Sequence, residues 1–335
     1  MIKVAINGFG RIGRSTFRRI LNSHPNLEVA AINDLTDNKT LAHLLKYDSL
    51  YGIYEKEVGF GEEFLKVDGK EFKVFAKTNP EDLPWKALRV DIVLECTGHF
   101  TELEGSKKHL KAGAKKVIIS APSKSPEIPN FVLGVNESKY NPEKDDIISM
   151  VSCTTNSLAP VVKILHKNFQ ILKGFMTTIH SYTNDQEILD LSHKDLRRAR
   201  AAALSMIPTS TGAAKAIGKI FPELEGKLDG ISVRVPTPTV SLTDLTVNVS
   251  KKTNKEEVNE AFREAAKTKE LQGIFWVEDL PLVSVDFKGN SYSSILDSEF
   301  TKVYDDLIKV LAWYDNEWGY ACRLAEFCEY VGRKL

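Results

Sequence analysis

One of the four cysteines in this 335-residue chain is placed to act as a nucleophile. Cys153 lies among hydroxyl and amide side chains in the segment SCTTNS (residues 152–157), directly ahead of a helical apolar stripe. The dipole and free N–H groups at a helix N-terminus stabilise a thiolate, which is a strong nucleophile at neutral pH. Cys96, Cys322 and Cys328 lie in apolar stretches and are predicted to be buried small hydrophobes. We therefore predict that Cys153 is the reactive thiol.

Pro160 complicates the helix predicted after Cys153. Leu158, Val162 and Leu165 share one helical face. Proline lacks the backbone N–H and clashes with the preceding turn, so it either kinks this helix or delays its start.

A nucleophilic cysteine needs a base, and His180 is the best candidate among the seven histidines. It lies in a strand-like segment, TTIHSYT (residues 177–183), among side chains that can form hydrogen bonds. From spacing alone a structural histidine fits this position as well. The catalytic interpretation depends on His180 lying beside Cys153.

A glycine motif near the N-terminus predicts a dinucleotide site. Gly8, Gly10 and Gly13 form G-x-G-x-x-G between a strand-like run at 3–7 and a helical stripe, where a helix N-terminus can receive a pyrophosphate. Asp34 follows after about 20 residues, the spacing of a carboxylate that binds the ribose 2′-hydroxyl. A carboxylate there repels a 2′-phosphate, which favours NAD over NADP. The alternative is a glycine turn with a solvated aspartate.

Alternating strand and helix signals surround this motif in the first third of the chain. Strands are predicted at residues 3–7, 28–32, 90–96 and 116–120, and helices at 12–21 and 41–45. This βαβ rhythm predicts an α/β fold with a Rossmann-type doubly wound parallel sheet.

The pattern changes after about residue 150. Residues 175–182, 231–235 and 240–249 are strand-like, and the last of these alternates as a half-exposed antiparallel strand does. Thr253 and Glu256 fit a capping box ahead of another helix. The sequence thus predicts an α+β catalytic domain with a largely antiparallel sheet. At ~100–200 residues per domain, the length predicts two domains.

Composition narrows the function class. There are 45 Lys plus Arg and 45 Asp plus Glu, with no block of like charges, so a broad nucleic-acid or membrane-surface site is not expected. The start of the chain does not have the pattern of a signal peptide, and no stretch has the length and apolarity of a membrane span, so we expect a cytoplasmic protein. The sparse cysteines show no CxxC pair, and we expect neither a disulfide framework nor a metal site.

Taken together, these segments resemble the phosphorylating glyceraldehyde-3-phosphate dehydrogenases. The segments that carry the resemblance are NGFGRIGR (7–14), SCTTN (152–156), His180, TGAAK (211–215), RVPTP (234–238) and WYDNEWGY (313–320). They run from the first strand to the last helix in the family's order. The resemblance implies that Cys153 attacks the aldehyde of glyceraldehyde 3-phosphate, that His180 is its base, and that inorganic phosphate releases the resulting thioester as an acyl phosphate.

The resemblance also assigns residues to ligands. For the cofactor it adds Arg11, Ile12, Lys77, Ser120 and Asn316 to the glycines and Asp34. For the substrate's own phosphate it gives Thr183 and Arg234, and for the attacking phosphate Ser152, Thr154, Arg198, Thr211 and Gly212.

The sequence alone predicts different environments for Arg198 and Arg234. Arg198 could belong to a solvated basic loop, whereas Arg234 lies within a strand and needs a partner if it is buried.

Four residues depart from the family pattern. Met150 and Val151 stand where Asn-Ala is usual, Ser157 replaces a frequent second cysteine, and Ser192 takes the place of a proline common in strictly NAD-dependent members. We therefore expect a preference for NAD with residual use of NADP.

Two alternative functions remain at this point. Erythrose-4-phosphate dehydrogenase has a similar scaffold but differs in substrate length and in using water as acceptor. A nucleotide-binding regulator could keep the fold without the chemistry. The family implies a homotetramer, and we expect residues 181–203 at an interface. We predict an NAD-binding domain from 1–151 and 316–335 and a catalytic domain from 152–315.

Overall fold

Most of the strands before residue 150 pair in one eight-stranded sheet. The computed structural model describes all 335 residues. The strands of this part are β1 (Ile2–Asn7), β2 (Leu27–Asn33), β3 (Tyr47–Asp48), β4 (Gly52–Ile53), β5 (Val58–Phe60), β6 (Phe64–Val67), β7 (Lys70–Phe75), β8 (Ile92–Glu95), β9 (Lys116–Ile119) and β10 (Ile147–Ser149). The order in the sheet is β10-β9-β8-β1-β2-β7-β6-β5, parallel from β10 to β7. This confirms the predicted doubly wound sheet.

Eight α-helices connect or cover the strands. They are α1 (Arg11–Ser23), α2 (Asn38–Lys46), α3 (Trp85–Leu88), α4 (Leu103–Lys111), α5 (Cys153–Phe169), α6 (Ala213–Ile220), α7 (Lys255–Ala266) and α8 (Trp318–Gly332). None of them is long and apolar enough to cross a membrane.

The second sheet has seven strands and is largely antiparallel. Its strands are β11 (Ile171–Ser181), β12 (Ile207–Ser210), β13 (Leu228–Val235), β14 (Ser241–Val249), β15 (Phe275–Glu278), β16 (Ser294–Tyr304) and β17 (Leu307–Tyr314). Their order is β12-β13-β11-β14-β17-β16-β15, and only the β11–β13 and β15–β16 pairs are parallel. Helices α5 and α7 contact this sheet. The predicted α+β fold of the second half is confirmed.

The chain forms two compact units. The first unit comprises Met1–Phe131, Ser138–Val151 and Ala321–Leu335, and the second Val132–Glu137 and Ser152–Tyr320. The domain limits predicted above, including the assignment of residues 316–320 to the NAD-binding domain, stay a prediction.

One local prediction needs correction, and one of the two alternatives left open for Pro160 is excluded. Asn254, not Thr253, is the N-cap of α7, because the Asn254 side chain accepts a hydrogen bond from the backbone N–H of Glu257. The capping-box spacing was therefore wrong by one residue. The start of α5 is not delayed, since the helix begins at Cys153 and continues through Pro160.

The last helix is held in the first unit by its apolar stripe and by one carboxylate. Phe327, Cys328 and Val331 are buried, while Glu329 accepts hydrogen bonds from His24, Asn26 and Arg333. Burial by itself would raise the pKa of Glu329, but these hydrogen bonds outweigh it and lower the pKa to about 2.

This carboxylate makes stability depend on pH. Its contribution is present above the unfolded pKa of about 4.5 and is lost as pH falls toward 2. Glu329→Gln should therefore lower the free energy of unfolding at pH 7 by up to about 3 kcal/mol, which is measured as a lower urea midpoint. The difference from wild type should shrink below pH 4.5. Glu264→Gln, in an exposed pair with Lys267, is the control. A difference that stays constant from pH 7 to pH 3 would contradict this linkage.

Candidate active site

Helix α5 places Cys153 at its first turn. Ser152 is the N-cap, with extended backbone angles (φ −97°, ψ 164°), and its hydroxyl accepts a hydrogen bond from the backbone N–H of Thr155 at 3.1 Å. Val151 precedes it with φ 48°, a left-handed conformation that is strained for a β-branched residue. The predicted location of Cys153 at a helix N-terminus is confirmed.

Strand β11 places His180 beside this thiol. Met176, Thr178 and His180 alternate along β11 and are all buried on one face of the second sheet. The Sγ atom of Cys153 lies 3.6 Å from Nε2 of His180. The pairing on which the catalytic interpretation of His180 depended is present.

The hydrogen bonds around His180 decide its tautomer. Nδ1 lies 2.7 Å from the carbonyl oxygen of Ser181, which can only accept, so Nδ1 carries the proton. An Arg234 nitrogen lies 3.1 Å from both Nδ1 and this carbonyl, and because arginine has only donors, its hydrogen bond goes to the carbonyl. Nε2 therefore presents its lone pair to the Cys153 thiol.

Burial favours the uncharged form of both partners. It raises the pKa of the Cys153 thiol, although the positive charge of Arg234 and a hydrogen bond from Thr154 act in the opposite direction. It lowers the pKa of His180 to about 3, and the charge of Arg234 adds to this effect. His180 is thus a neutral base at physiological pH, and the stabilisation of a thiolate that we expected from the helix terminus is opposed by burial.

Tyr314 is a residue of this site that sequence analysis missed. Its hydroxyl lies 2.9 Å from Oγ1 of Thr154 and 2.8 Å from Oγ1 of Thr178, and its ring meets the His180 ring edge-on at 6.1 Å. It ties α5, β11 and β17 together under the Cys153–His180 pair. The signal in the sequence was the segment WYDNEWGY (313–320), within which Asn316 was the only predicted site residue.

Arg234 and Thr183 lie together next to the pair. Arg234 is opposite His180 in the β11–β13 register, and its guanidinium donates to Oγ1 of Thr183 at 3.2 Å. The side-chain Nε of Arg234 is buried without a hydrogen-bond partner. Two polar groups therefore converge where an anion would supply the missing acceptor.

Arg198 is ordered by its neighbours instead of lying in a solvated loop. Its Nε donates to Oγ1 of Thr209 at 3.1 Å, and an Nη nitrogen donates to the carbonyl of Ser210 at 3.4 Å. Ser210 directly precedes Thr211 and Gly212, and Gly212 is the N-cap of α6. The predicted residues for the attacking phosphate in this segment thus lie near one another.

Asn316, predicted at the nicotinamide, is buried in the second unit. Its side-chain oxygen accepts a hydrogen bond from the Ser241 hydroxyl at 3.1 Å. That hydroxyl also accepts from the backbone N–H of Ser181, the residue after His180.

The glycine motif in the first unit has the geometry of a dinucleotide turn. Gly8 has φ 93°, and a Cβ there would lie 2.6 Å from the backbone nitrogen of Thr97. A Cβ at Gly13 would lie 2.1 Å from the Gly8 carbonyl oxygen, so Gly13 permits close packing of helix and strand. At Gly10, the N-cap of α1, nothing lies within 4 Å of such a Cβ. This open backbone fits a pyrophosphate.

A cavity beside this turn contains several of the predicted cofactor residues. It is lined by Asn7, Gly8, Gly10, Asn33, Asp34, Leu35, Lys77, Thr78, Cys96, Thr97, His99 and Phe100. Asp34 accepts a hydrogen bond from the backbone N–H of Phe9 at 2.6 Å, which places its carboxylate at the turn. The backbone N–H and carbonyl of Lys77 both form hydrogen bonds with the Asn33 side chain, which fixes the position of Lys77. Cys96 is only half-buried, which corrects our prediction that it is a core residue.

Other predicted cofactor residues lie outside this lining. Arg11 forms an ion pair with Asp48 at 2.6 Å, and Ile12 follows Arg11 in α1. Ser120 forms a hydrogen bond with the Cys96 thiol. This hydrogen bond lowers the pKa of Cys96, but burial raises that pKa by more. The cavity is thus assembled mainly by the turn and by segments after β2, β7 and β8.

A buried polar network below the cavity was not predicted. Glu95, at the end of β8, accepts hydrogen bonds from Asn7 at 2.6 Å, His109 at 3.1 Å and the Thr97 backbone at 2.8 Å. His109 in turn accepts from the indole of Trp85 at 3.1 Å. The signal available in the sequence was a carboxylate ending an apolar strand, which needs partners when buried.

Both halves of the chain match models of a known protein family. Residues 2–103 match the family model of the glyceraldehyde 3-phosphate dehydrogenase NAD-binding domain, and residues 152–316 match that of its C-terminal domain. Glyceraldehyde-3-phosphate dehydrogenase 2 of Streptomyces avermitilis is 54% identical over 100% of this chain and 99% of its own length. The enzyme of Geobacillus stearothermophilus is 55% identical over 99% of each chain. The chloroplastic enzyme A of Zea mays is 56% identical over 98% of this chain and 82% of its own.

The chain belongs to the glyceraldehyde-3-phosphate dehydrogenase family. It is therefore an oxidoreductase whose cofactor is NAD, as predicted. These matches favour neither erythrose-4-phosphate dehydrogenase nor a non-catalytic regulator. The glycine turn and the cavity beside it are consistent with the NAD-binding domain that the family model places over residues 2–103.

Asp34 gives a test of cofactor choice. Asp34→Asn keeps an acceptor for the Phe9 N–H but removes the charge that repels a 2′-phosphate. We expect the ratio of kcat/KM for NADP to that for NAD to rise by at least about tenfold, measured by steady-state kinetics with each cofactor. Asp37→Asn, at the exposed N-cap of α2, should leave the ratio unchanged. An unchanged ratio in Asp34→Asn would remove Asp34 from the cofactor site.

Proposed function

We propose that Cys153 and His180 carry out the phosphorylating oxidation of glyceraldehyde 3-phosphate to 1,3-bisphosphoglycerate. The observation that supports this proposal is the 3.6 Å separation of Sγ and Nε2, with the histidine proton held on Nδ1 by the Ser181 carbonyl. In this orientation the free lone pair of the neutral imidazole is on Nε2, which faces the thiol. The thiol is therefore the group from which His180 can remove a proton.

The first half-reaction oxidises the aldehyde. As Sγ of Cys153 bonds to the aldehyde carbon, its proton passes to Nε2 of His180, and the N–H so formed stabilises the developing oxyanion and protonates it. Bound NAD supplies the acceptor for the hydride that leaves this carbon. His180 takes the hydroxyl proton back as the carbonyl re-forms, which leaves a thioester on Cys153.

The second half-reaction transfers the acyl group. An oxygen of inorganic phosphate attacks the thioester carbon, the carbon–sulfur bond breaks, and the departing thiolate is reprotonated by His180. The product is an acyl phosphate. The energy released in the oxidation is retained because phosphate, and not water, is the acceptor.

Two sets of residues hold the two phosphates in this proposal. Thr183 and Arg234 bind the substrate's own phosphate, supported by their 3.2 Å contact and by the unpartnered Nε of Arg234. The attacking phosphate is bound by Arg198, Thr211 and Gly212 together with the Ser152 and Thr154 hydroxyls. On the cofactor side, we propose the roles given above for the glycines, Arg11, Ile12, Asp34, Lys77, Ser120 and Asn316.

We further propose that the chain acts as a homotetramer. The second sheet has one face covered by helices, while its other face carries exposed apolar side chains, with Phe175 75% and Ile231 50% exposed. The segment at 181–203 also exposes Ile188, Leu191 and Leu196. Apolar surface of this kind is typical of contacts between subunits.

The proposal is tested by following NADH formation from glyceraldehyde 3-phosphate with and without phosphate. Wild-type turnover should require phosphate, and Cys153→Ser should abolish turnover while NAD still binds, because a serine hydroxyl is far less nucleophilic beside a neutral histidine. NAD binding is read by isothermal titration calorimetry. Cys328→Ala, on α8, is the control and should retain activity. Turnover by Cys153→Ser would refute the assignment of the nucleophile.

His180 should govern the reactivity of this thiol. In His180→Asn the thiol must ionise unaided, against the rise in its pKa caused by burial. Alkylation of Cys153 by iodoacetamide at pH 7 should slow by at least about tenfold relative to wild type, and the difference should narrow above pH 9. Since the pKa of His180 is lowered to about 3, wild type keeps its base across this range. Equal alkylation rates at pH 7 would exclude His180 as the base.

A further inference from the structure

The guanidinium of Arg198 is already paired with two carboxylates. One of its Nη nitrogens donates to Asp185, and its Nε lies 3.6 Å from Asp195. Neither aspartate was among the predicted site residues. An arginine proposed to bind a phosphate therefore has anionic partners of its own within the chain.

The two carboxylates differ in how they are held. Asp195 accepts a hydrogen bond from Thr209 at 2.7 Å and one from the backbone N–H of Arg197 at 2.9 Å. Thr209 also accepts from Nε of Arg198, so Asp195 belongs to the framework that orients this edge of the guanidinium.

Asp185 lies on the other edge of Arg198. Its side chain is 51% exposed, whereas that of Arg198 is 16% exposed. Asp185 follows Thr183 by two residues, and its charge acts on Arg234 as well as on Arg198. It is thus an accessible carboxylate near the two arginines to which the proposed function assigns phosphates.

We propose that Asp185 competes with inorganic phosphate for Arg198 and so sets the phosphate concentration at which the enzyme half-saturates. This inference rests on the proposed role of Arg198. The Nε and one Nη group are engaged by Thr209 and Ser210, so an incoming phosphate meets the guanidinium at the group that pairs with Asp185. An ion pair with a half-exposed carboxylate is weak and exchanges readily for a dianion.

The competition has a consequence for selectivity. With Asp185 in place, the phosphate carried by the aldehyde must displace a carboxylate before it can bind Arg198. Arg234, whose Nε has no partner, remains the stronger attraction for that group. Asp185 therefore helps each phosphate to reach its own arginine.

Asp185→Asn tests the competition because it removes the charge and keeps the shape. With saturating NAD and aldehyde, the KM for phosphate should fall by about three- to tenfold, and the inhibition constant of sulfate against phosphate should fall in parallel. The pre-steady-state burst of NADH, which reports formation of the thioester before phosphate acts, should keep its rate and amplitude. Asp190→Asn, which breaks an exposed pair with Arg200 in the same segment, should change neither constant.

A double-mutant cycle shows whether Asp185 acts through Arg198. Arg198→Leu should raise the KM for phosphate, and adding Asp185→Asn to it should cause no further change. If Arg198→Leu leaves this KM unchanged, the proposed role of Arg198 fails, whatever Asp185 does. If Arg198→Leu raises it and Asp185→Asn raises it as well, Asp185 positions Arg198; if Asp185→Asn leaves it unchanged, Asp185 does not influence phosphate binding. Either result refutes the competition. The competition is also refuted if Asp185→Asn lowers the inhibition constant of sulfate but not the KM for phosphate. In that case Asp185 would be accepting the proton of phosphate.

Discussion

The contact between the Cys153 thiol and the His180 imidazole is the constraint that the second unit is built to satisfy. The two residues are 27 positions apart in sequence, on a helix and on the strand that follows it, and their side chains meet at 3.6 Å. This requires α5 to pack on the face of the sheet that carries His180, with its N-terminus at that histidine. Tyr314 supports the arrangement from below, because its hydroxyl bonds to a threonine on each of the two elements. A shift of one residue in β11 would turn His180 to the opposite face of the sheet.

The same contact explains why burial and catalysis are compatible here. The half-buried Cys153 thiol and the buried His180 imidazole are both shielded from water and resist carrying charge, so the pair is stable as neutral partners. In the proposed mechanism the proton moves only across the short distance between Sγ and Nε2, and only when an aldehyde is present to bond with the sulfur. The Ser181 carbonyl keeps the proton of His180 on Nδ1, which leaves Nε2 free to act as the proposed base.

In the proposed function anion recognition is local, because 45 basic and 45 acidic residues without a block of like charges do not create a broad positive field. Arg234 has a buried Nε without a partner, whereas Arg198 is balanced by carboxylates. In the first unit the proposed recognition elements are backbone groups at a glycine turn, where Gly10 leaves the space open. Below that turn, the Glu95 network fixes the segments that form the cavity, since one carboxylate binds both Asn7 and Thr97.

The sequence by itself determined the two kinds of sheet, the glycine turn and the position of Cys153 at a helix N-terminus, because these depend on local patterns of apolar residues, glycines and hydroxyls. His180 was a candidate whose pairing with Cys153 only the tertiary structure could show. Local patterns were less reliable at element ends, where Asn254 took the cap expected at Thr253. Only the tertiary structure decided the tautomer of His180, the direction of both pKa shifts, the role of Tyr314 and the pairing of Arg198 with Asp185. Each of these depends on the three-dimensional positions of particular atoms, even where the residues are neighbours in sequence as His180 and Ser181 are, and on the exclusion of water from them. Neither the positions nor the exclusion of water has a signature in sequence spacing.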